Sequence, residues 1–126
     1  VTLPLISSDV YLMLAAAAGG KLETYEARFS HGHCLTVVLA AEGYPGPPAK
    51  GREISGRGLS SSEEAWIIHA GTDLQDGKLV STGGRVLSVT GYGNDLAAAA
   101  LQAYSVISEI DLEGSHYRRD IGFRAL

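Results

Sequence analysis

The segment from residue 95 to residue 110, DLAAAALQAYSVISEI, limits the possible folds of this chain more than any other stretch. Its apolar residues recur at intervals of three and four, which places them on one face of a helix: Leu96, Ala100, Ala103, Ile107 and Ile110. Asn94 precedes the pattern as a helix cap, and Asp95 follows in the first turn, where it interacts favourably with the helix dipole. A helix with one apolar face must pack that face on another element.

The segments before this helix predict strands. CLTVVLAA is continuous enough for a central strand, and TYEARF alternates between polar and apolar residues. Asp76-Gly77 is a hairpin-turn dipeptide, flanked by two further strand segments and followed by a third: 65–70, 78–82 and 84–90. An exposed loop over residues 42–58 separates the first group of strands from the second.

A second helix is predicted near the N-terminus. Ser7 and Ser8 are helix-start residues with Asp9 in the first turn, YLMLAAAA follows, and Gly19-Gly20 stops the helix. Antiparallel strands combined with two helices predict an α+β fold, a small and mostly antiparallel β-sheet domain with two main helices.

Charge and length exclude several classes of protein. The chain has 126 residues, which suits one domain, and its net charge of −4 argues against a general nucleic-acid or membrane-surface binder. Its apolar runs are shorter than the ~18 residues of a membrane span. The single cysteine, Cys34, lies in an apolar run and is predicted to be a buried thiol. Because one cysteine cannot form a disulfide within the chain, a reducing cytoplasmic setting is expected.

The stretch Gly83-Gly84-Arg85 opens a strongly apolar strand, with Arg85 predicted on the same face as Leu87 and Val89. Two glycines permit close approach of the backbone, and the planar guanidinium of arginine suits a carboxylate or a phosphate. Arg85 therefore either pairs with a carboxylate of this chain or faces an anionic ligand.

Other candidate residues have competing interpretations. GYPGPPAKG lacks the spacing of a phosphate-binding P-loop, and its prolines remove backbone donors, so Tyr44, Pro45 and Gly46 are interpreted as a loop that borders a site or a partner domain. His31 and His33 lack the partners of a zinc site and are read as a solvated loop. His69 is either a hydrogen-bonded histidine at the end of a strand or a ligand contact.

The C-terminal stretch HYRRDIGFR contains a second basic element. Arg118 and Arg119 lie beside Asp120, which can satisfy one of them in a structural ion pair. Arg119 is assigned to such a scaffold, and Arg118 remains open between scaffold and substrate.

Four motifs in order point to one family. GYPG…KG at 43–51, IHAGT at 68–72, DGKLVSTGGRVLSVT at 76–90 and EGSHYRRDIGFRAL at 113–126 resemble the C-terminal part of the phosphoribosylamine–glycine ligase (glycinamide ribonucleotide synthetase) family. The resemblance covers nearly the whole chain. It implies that residues 1–22 are the closing helix of a truncated ATP-grasp domain and that 23–126 are the C-terminal α+β domain.

The resemblance also implies a cytoplasmic enzyme of de novo purine biosynthesis. ATP phosphorylates the carboxylate of glycine, and the amine of phosphoribosylamine attacks the acyl phosphate to give glycinamide ribonucleotide, ADP and phosphate. ATP and Mg²⁺ would bind outside this chain, which has no metal site and no catalytic residue of its own, and the chain alone is expected to be inactive.

By the same resemblance, Gly83, Gly84 and Arg85 bind the substrate phosphate, with Arg118 as a further candidate. The expected partners are the N-terminal and ATP-grasp domains of the ligase, phosphoribosylamine and glycine. An alternative is a stand-alone interaction module that docks on a partner chain through its apolar N-terminal segment.

Overall fold

The computed structural model describes residues 1–125, and Leu126, the last residue of the predicted 23–126 domain, lies outside the described residues. The main elements in chain order are α1 (Val10–Ala18), β1 (His33–Ala40), β2 (Ala65–His69), β3 (Thr72–Gln75), β4 (Lys78–Ser81), β5 (Arg85–Gly93) and α2 (Leu96–Ile107). All strand pairs are antiparallel, which confirms the predicted α+β class.

The main sheet has three strands in the order β1-β5-β2. Helix α2 covers one face, because Gly91 of β5 lets the helix approach until an ideal Cβ there would lie 2.2 Å from the Ala99 carbonyl oxygen. The predicted apolar face of α2 packs here, with Ala103 and Ile107 at most 1% exposed. The core joins both layers: Leu35, Val37, Leu39, Val86, Leu87, Val89, Ala99, Ala103 and Ile107.

The outer face of this sheet is only partly covered. Thr36 and Thr90 share a hydrogen bond of 2.7 Å between their hydroxyl oxygens, and Trp66 meets Tyr92 edge to face. Cys34 lies on this face and is partly buried instead of fully buried, which corrects the sequence prediction, and its burial raises the pKa of the thiol.

Strands β3 and β4 form a separate two-stranded sheet. Its turn is the predicted Asp76-Gly77 dipeptide, with φ of 50° and 77°, as a tight hairpin turn requires. The predicted grouping of 65–70, 78–82 and 84–90 was wrong, because β4 pairs with β3 while β2 pairs with β5. Strand β3 has the sequence TDLQ and is mostly exposed, so it shows no apolar alternation from which it could be predicted.

Two further predictions about local structure were wrong. Residues 24–29 form no strand, because Phe29 is the only one of them in a β-bridge, and that bridge, with Ile6, is isolated. Both helices begin later than predicted, because the N-cap is an aspartate in each case. The carboxylate of Asp9 accepts a hydrogen bond from the Leu12 amide at 3.1 Å, and that of Asp95 accepts one from Ala98 at 2.7 Å.

Within residues 1–125, no helix is both long enough and apolar enough to cross a lipid bilayer.

Candidate functional site

A β-bulge at the start of β5 determines where Arg85 lies. Leu39 pairs with Leu87 and Ala40 pairs with Arg85, which leaves Val86 as an extra residue on β5. Val86 and Leu87 are both 0% exposed, so the alternation of the strand is shifted by one residue. Arg85 is therefore exposed and lies beside Val38 and Ser88, on the opposite side from Leu87 and Val89. The sequence prediction of a shared face was wrong because it did not include the bulge.

The two glycines before Arg85 have unused backbone donors. Within residues 1–125, the N–H groups of Gly83 and Gly84 donate to no carbonyl or side-chain acceptor, although both residues are half-buried. The Gly84 carbonyl accepts a hydrogen bond from the Ala41 amide at 2.8 Å, and the Thr82 amide donates to the Gly71 carbonyl at 2.8 Å. The turn is thus fixed by its neighbours, while two adjacent donors stay available.

The guanidinium of Arg85 has no acidic partner in the described part of the chain, residues 1–125. The ion pairs there join other residues: Arg52 with Glu42, Arg57 with Glu109, Lys78 with Glu53 and Arg118 with Asp120. A cation of this kind can accept an anionic ligand without first breaking an internal pair.

Arg85 separates two concave surfaces. We call the first the glycine-side concavity, which is lined by Val38, Ala70, Gly71, Gly84, Arg85 and Ser88. The second, the tyrosine-side pocket, has a volume of about 270 Å³ and a mostly apolar lining. Tyr44, Arg85, His116, Tyr117, Arg118 and Ile121 are among its lining residues.

The loop residues predicted to border the site separate into two groups. Tyr44 lines the tyrosine-side pocket, and its ring lies against Gly84, where an ideal Cβ would come within 2.5 Å of Tyr44 Cδ2. Pro45 and Gly46 are exposed and border neither concavity. His69 also borders neither; its Nδ1 lies 3.1 Å from the Thr72 hydroxyl, a hydrogen bond at the end of a strand.

Arg118 is held in a two-pronged ion pair. Its Nε donates to Asp120 Oδ1 at 2.9 Å, and its Nη2 donates to Asp120 Oδ2 at 2.8 Å. This hydrogen bonding lowers the pKa of the Asp120 carboxyl and raises the pKa of Arg118. Arg119, which was predicted to belong to the scaffold, lies over the ring of Tyr117 with its Cζ 5.6 Å from the ring centroid.

Sequence reasoning missed His116, Tyr117, Ser88 and Gly71. His116 reaches the pocket because its backbone pairs with Ala40 at the end of β1, with N–O distances of 2.9 and 3.0 Å. The motif EGSHYRRD contained His116 and Tyr117, and the motif IHAGT contained Gly71. Neither motif indicates which strand its residues will contact in the folded chain. Within residues 1–125, no three His, Cys, Asp or Glu side chains cluster closely enough to hold a metal ion.

Comparisons with known proteins agree with this architecture. The family model described as phosphoribosylglycinamide synthetase, C domain, matches residues 34–124. A phosphoribosylamine–glycine ligase of Mycobacterium tuberculosis is 50% identical over 125 residues, which are 98% of this chain and 28% of that protein. The trifunctional purine biosynthetic protein adenosine-3 of Gallus gallus is 42% identical over an alignment of 127 positions, which covers 100% of this chain and 13% of that protein.

A solved structure gives the same result. The crystal structure of phosphoribosylamine–glycine ligase from Thermotoga maritima superposes with a TM-score of 0.72 at 44% identity, covering 89% of this chain and 27% of that one. These matches confirm the resemblance indicated by the four sequence motifs. The chain spans less than a third of the length of each of these relatives.

Proposed function

Since this chain belongs to the family of the phosphoribosylglycinamide synthetase C domain, we propose that it acts as the C-terminal part of a phosphoribosylamine–glycine ligase. The whole ligase makes glycinamide ribonucleotide from 5-phosphoribosylamine, glycine and ATP, in de novo purine biosynthesis in the cytoplasm. Within it, this domain contributes to the binding of phosphoribosylamine.

The observation that carries this role is that, within residues 1–125, Arg85 has no acidic partner and lies beside two backbone N–H groups without an acceptor. The phosphate of phosphoribosylamine carries up to two negative charges at neutral pH and offers three acceptor oxygens. Arg85 supplies a two-pronged cationic donor, and the N–H groups of Gly83 and Gly84 supply neutral donors next to it. The phosphate lies in the glycine-side concavity, where Ser88 adds a hydroxyl and Gly71 leaves space.

Arg118 has a different assignment. It lines the tyrosine-side pocket, but both prongs of its guanidinium are occupied by Asp120. Binding a phosphate would require this pair to break, so Arg118 stabilises the C-terminal segment and does not hold the substrate. Tyr44 borders the site, whereas Pro45, Gly46 and His69 lie outside it.

The remaining parts of the reaction are assigned to the rest of the ligase. ATP and Mg²⁺ bind outside these 126 residues, so this chain takes no step in phosphoryl transfer. Residues 1–22 belong structurally to the neighbouring ATP-grasp domain. The support for this is α1, an apolar helix in which no residue is buried and in which Tyr11 is 77% exposed.

A chimeric enzyme tests the proposal. The 125 matched residues of the M. tuberculosis ligase are replaced by this chain, and ligation is followed as ADP release that requires both glycine and phosphoribosylamine. We expect activity from the chimera and none from the isolated chain. A folded chimera that binds ATP but does not ligate would contradict the assignment.

A binding measurement tests the site itself. The chain is titrated with ribose 5-phosphate, a stable analogue of the phosphate-bearing half of the substrate, and chemical shifts of the Gly83 and Gly84 amides and of Arg85 Nε–Hε are followed. We expect saturable shifts in the natural chain and in Arg119→Ala, which removes an equal charge elsewhere. Equal binding by Arg85→Ala would refute the site.

A further inference from the structure

The start of β5 is held by contacts from two segments that are distant in the sequence. Gly71 lies between β2 and β3, and its carbonyl accepts the Thr82 amide at 2.8 Å. Tyr44 lies in the loop after β1, and its ring covers Gly84. Neither residue carries a charge that could bind a phosphate, yet both contact the backbone that carries Arg85.

At Gly71 the backbones of two segments come too close for a side chain. An ideal Cβ on Gly71 would lie 2.7 Å from the Arg85 carbonyl oxygen and 2.9 Å from both Gly83 Cα and Gly83 N. Gly71 is not among the residues with positive φ, so alanine is compatible with its own backbone conformation. The requirement for glycine comes from the neighbouring segment alone, because an added methyl group must displace residues 83–85.

At Tyr44 the contact is made by a ring. An ideal Cβ on Gly84 would lie 2.5 Å from Cδ2 and 3.2 Å from Cε2 of Tyr44, so the ring fills the space where a side chain would stand. The loop that carries Tyr44 is tied to both ends of the same turn. The Ala41 amide donates a hydrogen bond to the Gly84 carbonyl at 2.8 Å, and the Gly51 amide donates one to the Ser81 carbonyl at 2.6 Å.

We propose that Gly71 and Tyr44 are positioning residues, which hold the Gly83-Gly84-Arg85 backbone in the orientation that binds the substrate phosphate. This inference rests on the proposed function for the identity of the ligand. A site made of several directed donors needs them aligned, and a misplacement of about 1 Å can cost about a hundredfold in rate when positioned groups are disturbed. Gly71 excludes one displacement of this backbone by contact, and the Tyr44 ring excludes another.

The experiment uses the 126-residue chain and two independent readouts. Affinity for ribose 5-phosphate is measured by NMR titration, and residual dipolar couplings of the amides of residues 83–85 are measured without ligand, because they report the orientation of the N–H bonds. The variants are Gly71→Ala, Tyr44→Ala and Tyr44→Phe. Ile107→Val is the control for lost stability, because it truncates a buried residue of α2 that lies outside both concavities.

We expect Gly71→Ala to change the couplings of residues 83–85, to leave those of β1 unchanged and to weaken binding by about tenfold or more. Tyr44→Ala should also weaken binding, whereas Tyr44→Phe keeps the ring and should bind like the natural chain. Ile107→Val should melt at a lower temperature and bind normally, which separates positioning from stability.

Two results would overturn the inference. One is a folded Gly71→Ala that keeps both its couplings and its affinity within twofold of the natural chain, and the other is equal binding by Tyr44→Ala and Tyr44→Phe. If Gly71→Ala does not fold, the comparison of binding by Tyr44→Ala and Tyr44→Phe tests the inference. If the natural chain does not bind ribose 5-phosphate, the proposed function fails, and the dipolar couplings of the variants alone decide whether these residues position the backbone.

Discussion

Two arginine-bearing segments of this chain use the same side chain in opposite ways. At the start of β5, Arg85 follows two glycines and has no acidic partner within residues 1–125. In the C-terminal segment, Arg118 lies two residues from Asp120, and both of its prongs are bound to that carboxylate. The comparison indicates that an arginine with a local carboxylate stabilises its own segment, whereas an isolated arginine beside free backbone donors is available for a ligand.

The C-terminal segment is also anchored independently of its charges. The Tyr104 hydroxyl of α2 donates to the Arg118 carbonyl at 3.0 Å and accepts from the Ile121 amide at 3.1 Å. The start of β5 is instead held through its backbone, by Ala41 and Gly71. Substitutions in the two segments should therefore affect different measured quantities, namely stability in one and affinity in the other.

The largest effect on affinity, with little effect on stability, is expected for Arg85→Ala. Removing a charge-assisted contact should cost about 1.5–3 kcal/mol of binding free energy, or about 10- to 150-fold in affinity for phosphoribosylamine in the chimeric ligase. The melting temperature should barely change, because no carboxylate within residues 1–125 pairs with Arg85. Steady-state kinetics and thermal melts check this together. A clear loss of stability with an unchanged KM would reverse the roles of the two segments.

A smaller loss is expected for Arg85→Lys. Lysine keeps the positive charge but cannot make a planar two-pronged contact, so it should recover only part of the affinity lost in the alanine variant. Titration with ribose 5-phosphate, as above, measures the affinity of the lysine variant. Full recovery would mean that charge alone, without directed hydrogen bonds, accounts for the contact.

A weaker effect, on stability only, is expected for Arg119→Ala. Its guanidinium lies over the ring of Tyr117, and an exposed contact of this kind contributes about 0.5 kcal/mol. Denaturant unfolding should detect a small decrease in the free energy of unfolding, with unchanged affinity for ribose 5-phosphate. Arg119→Lys should lie between the natural chain and the alanine variant.

The smallest effect is expected for Arg118→Gln, because the Arg118–Asp120 pair is exposed and screened by solvent. Hydrogen bonding from Arg118 lowers the folded-state pKa of Asp120 below its usual 3.8, so the pair stabilises the fold above that pH and loses its effect as the pH falls through the lowered pKa. The melting temperatures of the two proteins should therefore converge in acid. A difference in melting temperature that stays constant at low pH would show that the pair with Asp120 does not cause the difference in stability.

The elements that could be predicted from sequence are those with a strong local pattern. The apolar face of α2, the central strands and the Asp76-Gly77 turn each depend on residues within a few positions of one another. Strand β3 could not be predicted, because its four residues TDLQ are held by their partner β4 and not by burial. The family could be identified because four motifs occurred in the correct order.

Only part of the candidate site could be predicted from the sequence. The sequence identifies one group of neighbours: Gly83, Gly84 and Arg85. It also shows that Asp120 is close enough to Arg118 to form an ion pair. The face on which Arg85 lies depends on a bulge opposite Leu39, more than forty residues away in the sequence. Gly71 becomes important only because the fold places it against Gly83, and its own surroundings in the sequence contain no signal of that contact.

The exposed helix α1 has a consequence for the behaviour of the separate chain in water. It is nine residues long, and no residue in it is buried. Isolated helices shorter than about 12–15 residues are marginal in water, since the cost of nucleation is spread over few hydrogen bonds. The Asp9 cap and one hydrogen bond of 2.6 Å, from the Tyr25 hydroxyl to the Asp9 carbonyl, provide local support. Residues 10–18 are therefore expected to take part in a helix–coil equilibrium, and hydrogen-exchange measurements should show their amide protons exchanging with solvent far sooner than those of α2.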